Sequence, residues 1–78
     1  MSKPVVLVVD DDLELSSMLV RLLEGEGWAS QAAFSGAQAE QVLAKGLPDV
    51  VLLDVMLPDA NGMELCRRWR GLYPGLGL

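Results

Sequence analysis

The chain has 78 residues, of which 51% are apolar, and its six basic and eleven acidic residues give a net charge of −5. This length allows one small hydrophobic core and lies below the usual domain size of roughly 100–150 residues. One cysteine and no histidine exclude an internal disulfide, a zinc site and a Ser/His or Cys/His nucleophile pair within the chain. The acidic balance gives little support for direct DNA binding. Because there is no signal-peptide pattern and no apolar run near the roughly 20 residues of a membrane span, we expect a soluble, cytoplasmic protein.

The first part of the chain predicts a strand, a helix and a second strand. The unbroken apolar, β-branched run from Pro4 to Val9 is typical of a strand in a parallel sheet that is covered on both faces. Asp11 or Asp12 then caps a predicted helix, in which apolar residues recur at helical spacing. The residues predicted to face the core from this helix are Leu15, Met18, Leu19, Leu22 and Leu23. Trp28 to Phe34 predicts the second strand, because this segment has a suitable length and is bounded by glycines.

The middle of the chain predicts a second helix and a third strand. Ser35 with Gln38 forms a capping-box pattern, and Gly46 ends the helix. The next apolar run, Val50–Leu53, does not alternate apolar with polar residues and is too short for a helix, so it predicts another strand covered on both faces. This strand ends on a carboxylate, Asp54.

A turn and a third helix follow this carboxylate. Residues 59–62 have turn chemistry, and Asn61 with Glu64 predicts a helix cap ahead of a helix from about Gly62. The predicted buried residues of this helix are Leu65, Cys66 and Trp69. Residues 71–78 are predicted to turn towards a further element that the chain barely begins. The order βαβαβα predicts an α/β fold with parallel strands and right-handed crossovers.

Acidic residues follow the first and third predicted strands. The carboxyl ends of parallel strands meet at one edge of a sheet, so neighbouring strands about 4.8 Å apart would bring Asp10 and Asp11 close to Asp54. Two like charges 4 Å apart repel by about 4 kcal/mol at an effective dielectric constant near 20, so a cation is expected between them. Mg²⁺ prefers oxygen ligands and often uses one or two carboxylates, which suits Asp11, Asp54 and a carbonyl of the following loop.

Two segments of the sequence resemble the receiver domain of bacterial response regulators. They are Val-Leu-Val-Val-Asp-Asp-Asp-Leu-Glu-Leu at 6–15 and Leu-Leu-Asp-Val-Met-Leu-Pro-Asp-Ala-Asn-Gly-Met-Glu-Leu at 52–65, and the second is most similar to receivers of the OmpR/PhoB type. The resemblance runs from Val5 to Pro74 and implies a CheY-like, flavodoxin-like doubly wound parallel sheet. Residues 1–78 would then be the N-terminal part of a receiver domain, with three of the family's five βα units.

The resemblance also implies a role for each acidic residue. Asp54 would accept the phosphoryl group and contact Mg²⁺, Asp11 would be a direct Mg²⁺ ligand, Asp10 would act mostly through water, and Met56 would offer its backbone carbonyl. The implied phosphodonor is a histidine kinase, and the implied output is transcriptional control through a DNA-binding domain outside this chain. The receiver would be a signalling module rather than an enzyme. The family's hydroxyl residue on strand four and lysine on strand five are absent from the chain, so we expect phosphoryl transfer to these 78 residues alone to be impaired.

Two other functions stay open at this point. Asp10 and Asp12 also satisfy the Asp-x-Asp pattern of a metal-dependent phosphohydrolase with an aspartate nucleophile, although Glu14 stands where that family carries Thr or Val. A receiver-like interaction module that is never phosphorylated is the other alternative. A calcium-binding loop is excluded, because the sixth position from Asp10 is Leu15 rather than glycine.

The strand order 2-1-3 that the resemblance implies makes the third strand an edge. A flat, apolar edge strand presents unpaired N–H and C=O groups to solvent and to other chains. We therefore expect the 78 residues to form a homodimer or a strand-exchanged oligomer, or to be ordered only within a longer chain.

Overall fold

The computed structural model describes residues 3–78 and contains one parallel sheet and three helices in the order βαβαβα. The strands are β1 (Val5–Val9), β2 (Ala29–Ala33) and β3 (Val50–Leu53), and the helices are α1 (Leu13–Gly25), α2 (Gly36–Lys45) and α3 (Gly62–Leu72). The predicted element order is confirmed, and β1 and β2 are slightly shorter than expected. Residues 1–2 of the predicted domain lie outside the described residues. None of the helices in residues 3–78 has the length and apolar content that crossing a membrane requires.

The strand order is β2-β1-β3, with β1 paired in parallel to both neighbours. Val9, the last residue of β1, lies opposite Ala33 on one side and Leu53 on the other. All three strands therefore end at the same level, and the residues that follow them leave the sheet at one edge. This register determines which side chains can meet.

Polar side chains begin each helix, as the sequence predicted. Asp12, Ser35 and Asn61 are the N-caps of α1, α2 and α3, each with an extended backbone. The Ser35 hydroxyl accepts a hydrogen bond from the Gln38 N–H at 3.1 Å, and the Gln38 side chain accepts one from the Phe34 N–H at 2.9 Å. The predicted capping box is therefore present, with its return bond shifted from Ser35 to the preceding residue.

The main core lies on the sheet face that α2 and α3 cover. Residues two apart on a strand point to the same face, so Leu7 and Val9 of β1 and Val51 of β3 point together into this core. The buried cluster comprises Leu7, Val9, Ala33, Ala39, Leu43, Val51, Leu65 and Trp69. The predicted burial of Leu65 and Trp69 is confirmed, and Cys66 is half-buried.

The predicted core face of α1 is largely wrong. Leu15, Met18 and Leu22 are 37%, 54% and 61% exposed, and Leu19 and Leu23 are half-buried. The one fully buried residue of α1 is Ser16. The helix packs mainly over β2 and β1. Most of its apolar stripe therefore lies outside the helix surface that contacts the sheet. Helical periodicity identified an apolar stripe, but among residues 3–78 no second helix lies on this sheet face to cover it.

β3 is also less covered than the sequence predicted. Leu52 lies on the same sheet face as α1 and is 41% exposed, because α1 does not extend over this strand. The outer edge of β3 is partly paired, since Val50 forms a parallel bridge with Gly77. The Val51 N–H donates to the Gly77 carbonyl at 2.8 Å, and the Gly77 N–H donates to the Asp49 carbonyl at 3.1 Å. The end of the chain therefore turns back along β3, and the open edge expected from the sequence is limited to its carboxyl half.

Candidate functional site

The ends of β1 and β3 bring three carboxylates together. The Asp54 N–H donates to the Val9 carbonyl at 2.9 Å, and the Asp10 N–H donates to the Ala33 carbonyl at 3.0 Å, so sheet-type bonding continues into both acids. Asp10, Asp11 and Asp54 each place one carboxylate oxygen within 4.8 Å of the other two. Asp10 and Asp54 are half-buried and Asp11 is exposed. The convergence expected from parallel topology is present, and the role of these residues as ligands stays a prediction.

The chemistry of this cluster fits a hard divalent cation. Among residues 3–78 none of the three carboxylates forms an ion pair, and the ion pair that the structure contains, between Arg68 and Glu40, involves none of them. Three negative charges at this separation repel one another, and a bound cation would offset that repulsion. Carboxylate oxygens suit Mg²⁺ or Ca²⁺ rather than a thiolate-seeking metal.

The first turn of α1 fixes Asp10. One Asp10 carboxylate oxygen accepts a hydrogen bond from the Asp12 N–H at 2.9 Å, and the Asp10 carbonyl accepts one from the Ser16 hydroxyl at 3.3 Å. Asp12 itself caps the helix by accepting from the Leu15 N–H at 3.1 Å, so its carboxylate is already engaged. Sequence reasoning missed Ser16, which no local pattern distinguishes from the neighbouring Ser17.

The loop between β3 and α3 closes on itself beside Asp54. The Met56 N–H donates to Asp54 Oδ1 at 3.3 Å, and Met56 forms an antiparallel bridge with Asn61. The Gly62 N–H donates to the Val55 carbonyl at 2.8 Å. Met56 is 80% exposed, and the metal role of its backbone carbonyl stays a prediction.

Gly62 is required by the close approach of two backbone segments. A Cβ at this position would collide with the Asp54 carbonyl oxygen and would lie 2.7 Å from the Val55 Cα. Backbone atoms cannot move aside without displacing Asp54 itself. The glycine in the receiver-like segment at 52–65 therefore has a steric cause here.

Asp59, predicted as a turn residue, makes a long-range contact. Its Oδ1 accepts a hydrogen bond from the Gly36 N–H at 2.8 Å, and its Oδ2 accepts one from the Ala37 N–H at 3.0 Å. These two backbone donors hold the pKa of Asp59 below its ordinary value of 3.8. The loop is in this way bound to the first turn of α2, which no local sequence pattern indicates.

A cleft of about 180 Å³ opens beside the acids on the α1 face. Its walls are formed by Val8, Val9, Asp10, Leu19, Leu52, Leu53 and Asp54. Because α1 does not reach over β3, this side of Asp54 is open to an approaching group.

Comparison with known proteins matches both the sequence and the fold. Residues 6–77 match the family described as the response regulator receiver domain. The chain belongs to this family. The receiver is 47% identical over 62 residues to the DNA-binding response regulator MtrA of Mycolicibacterium paratuberculosis, a match that covers 80% of this chain and 28% of MtrA.

Solved receiver structures have the same fold. A CheY-like receiver domain protein from Methanospirillum hungatei superposes with a TM-score of 0.92 at 29% identity, over 96% of this chain and 60% of that one. The response regulator TrrA from Thermotoga maritima, solved in complex with Mg²⁺-BeF, gives a TM-score of 0.86 at 30% identity, over 91% of this chain and 62% of that one. The predicted flavodoxin-like, CheY-like fold is confirmed. The chain thus spans about three fifths of these solved receivers and a little over a quarter of MtrA.

Proposed function

We propose that this receiver accepts a phosphoryl group on Asp54 from a histidine kinase and thereby controls an output domain outside these 78 residues. The observation that carries the proposal is the meeting of the Asp10, Asp11 and Asp54 carboxylate oxygens within 4.8 Å at the carboxyl edge of the sheet. MtrA is described as a DNA-binding response regulator, which supports a DNA-binding output that controls transcription. Residues 1–78 would form the N-terminal part of the receiver, working in the cytoplasm.

The three acids and the loop divide the ligand roles in this proposal. Asp11 is exposed and suits direct contact with Mg²⁺, whereas Asp10 already accepts a hydrogen bond from the Asp12 N–H and suits contact through water. Asp54 and the Met56 carbonyl would complete the protein ligands. Mg²⁺ at this position would neutralise charge on the phosphoryl oxygens.

The attacking atom follows from the hydrogen bonds of Asp54. Oδ1 accepts the Met56 N–H, and among residues 3–78 Oδ2 accepts no hydrogen bond. In this proposal Oδ2 attacks phosphorus and Oδ1 would contact Mg²⁺. A new O–P bond to Oδ2 forms as the P–N bond of the phosphohistidine breaks in line, and the histidine nitrogen keeps the electron pair and takes up a proton. The product is a 4-aspartylphosphate. The added charge of about −1.5 to −2 is the signal that the rest of the protein would read.

The helix-capping role of Asp12 counts against the phosphohydrolase alternative. That mechanism needs a second acid two residues after the nucleophile Asp10, but the Asp12 carboxylate caps α1. The labelling experiment described next distinguishes the proposal from an interaction module that is never phosphorylated.

The test is chemical phosphorylation of the intact protein with acetyl phosphate and Mg²⁺, followed by borohydride trapping and mass spectrometry. We expect the label on Asp54 alone, because in this proposal Asp10 and Asp11 hold Mg²⁺ and Asp54 is the acceptor. Asp54→Asn should abolish labelling.

Asp12→Asn is the matched control, because Asn caps helices as well as Asp does. The substitution removes a charge beside the site but removes no proposed ligand. This variant should be labelled like the wild type. A label on Asp10 would support the phosphohydrolase instead. Failure of the wild type to become labelled, with Mg²⁺ still bound in calorimetry, would contradict phosphorylation and support the interaction module.

A further inference from the structure

Asp59 joins the loop beside Asp54 to a different helix. Both oxygens of its carboxylate are used, one by the Gly36 N–H at 2.8 Å and the other by the Ala37 N–H at 3.0 Å. These are the first two residues of α2, where backbone N–H groups lack partners within the helix. A charged acceptor at a helix N-terminus gains from the helix dipole as well as from the hydrogen bonds.

Packing holds the loop at the same place. Gly36 is buried, and a Cβ on it would lie 3.0 Å from Ala60 Cβ and 3.2 Å from Leu65 Cδ1. The backbone of α2 therefore lies directly against the loop and against α3. The Asp59 carboxylate and this close contact together fix residues 59–60 to the α2 end of the core.

The other half of the loop carries the proposed site. Met56 bridges to Asn61, and its N–H donates to Asp54 Oδ1 at 3.3 Å. The Gly62 N–H binds the Val55 carbonyl at 2.8 Å and ties the end of the loop to its start. A shift of residues 59–61 would consequently be carried to Met56 and to Asp54.

We propose that Asp59 is a positioning residue for the metal site: by binding the α2 N-terminus it keeps the Met56 carbonyl and the Asp54 carboxylate in the arrangement that Mg²⁺ requires. The inference rests on the proposed function, because it assumes that Mg²⁺ binds between Asp11, Asp54 and Met56. In this proposal Asp59 would contact neither Mg²⁺ nor the phosphoryl group, because both of its carboxylate oxygens bind α2. A role in stability alone is the competing explanation.

Mg²⁺ affinity separates the two explanations, and isothermal calorimetry on the intact protein measures it. Tryptophan fluorescence is a poor reporter, because Trp28 precedes β2 at the opposite end of the strands and Trp69 lies in the core. We expect Asp59→Ala to weaken Mg²⁺ binding about tenfold, the size typical when a group supporting a metal ligand is removed. Asp59→Asn keeps one acceptor oxygen, so we expect a smaller loss, and the rate of labelling by acetyl phosphate should fall in the same order.

Ser35→Ala is the matched control for stability. It removes the other cap of α2, the acceptor for the Gln38 N–H at 3.1 Å, without touching the loop. This variant should lower the thermal midpoint and leave the Mg²⁺ dissociation constant unchanged. If both Asp59 variants also lower the midpoint but bind Mg²⁺ as the wild type does, the positioning role is wrong. If the wild type binds no Mg²⁺ at all, the metal site is wrong and this inference is overturned with it.

Discussion

β1 and β3 are apolar on both faces of the sheet, yet helices cover both strands on only one of these faces. On the α2/α3 face, Leu7, Val9 and Val51 are at most 1% exposed beneath two helices. On the α1 face, Val6 and Val8 of β1 are buried, but Leu52 of β3 is 41% exposed. Burial therefore follows the number and position of the covering helices and not the apolar character of the strand.

The candidate site lies where these two faces meet. On the closed face, Asp59 and the Gly36 contact hold the loop against α2. On the open face, the cleft between Leu19 and Leu52 leads to Asp54. The closed face thus holds the loop that follows Asp54, and the open face leaves the Asp54 carboxylate accessible.

The largest expected effect tests the difference between the faces directly. Trp69→Ala, in the closed core and 1% exposed, should lower the free energy of unfolding by about 3–5 kcal/mol, because it removes a large buried ring and leaves a cavity. Leu22→Ala, on the α1 stripe and 61% exposed, should change it by less than about 0.5 kcal/mol. Urea unfolding of the 78-residue chain, followed by circular dichroism, measures both, because the exposures of Trp69 and Leu22 are those of this chain. Losses of equal size would mean that the α1 stripe is covered in solution.

The second prediction concerns what the open face does when the 78 residues are prepared alone. Leu52 and the unpaired carboxyl half of the β3 edge leave apolar surface and backbone groups exposed. We expect this chain to self-associate as a homodimer or a strand-exchanged oligomer at micromolar concentration. Leu52→Lys should weaken the association about tenfold, because a lysine on an exposed strand opposes pairing and removes apolar area from the contact. Analytical ultracentrifugation measures the dissociation constant.

The control for this prediction is Gln31→Lys on β2, the strand at the other edge of the sheet. Gln31 is exposed and polar, so the added charge should leave the association constant unchanged. A monomeric wild-type chain with a cooperative thermal transition would show that Gly77 pairing alone protects the edge.

The sequence predicted those features whose causes are local or follow from topology. Unbroken apolar runs predicted β1 and β3, and length and bounding glycines predicted β2. Ser35 and Asn61 marked helix starts through bonds to residues two or three positions away, and parallel pairing brought Asp10 to Asp54. The burial of α1 was mispredicted because periodicity reveals an apolar stripe but not its partner. The Asp59 contact could not be predicted, since it joins residues 23 positions apart and depends on how closely α2 approaches the loop.

The smallest expected effect concerns the Asp59 anchor on the closed face at acid pH. The Gly36 and Ala37 N–H groups lower the pKa of Asp59 in the folded protein, so the folded state binds a proton there more weakly than the unfolded state. The stabilisation from this charge is therefore fully present above the ordinary pKa of 3.8 and is lost as the pH falls through the lower folded-state pKa. The difference in unfolding free energy between wild type and Asp59→Asn should be constant near neutral pH and should shrink below 3.8.

Ser35→Ala again supplies the comparison, because the Ser35 hydroxyl that it removes caps the same helix without carrying a charge. The difference between wild type and Ser35→Ala should not change over the pH range in which the Asp59→Asn difference shrinks. Parallel urea titrations of the three proteins measure this. If the Asp59→Asn difference also stays constant in acid, the carboxylate charge does not hold the loop. The close packing of Gly36 against Ala60 and Leu65 would then be the anchor of the closed face, and the site would depend on the shape of α2 rather than on its dipole.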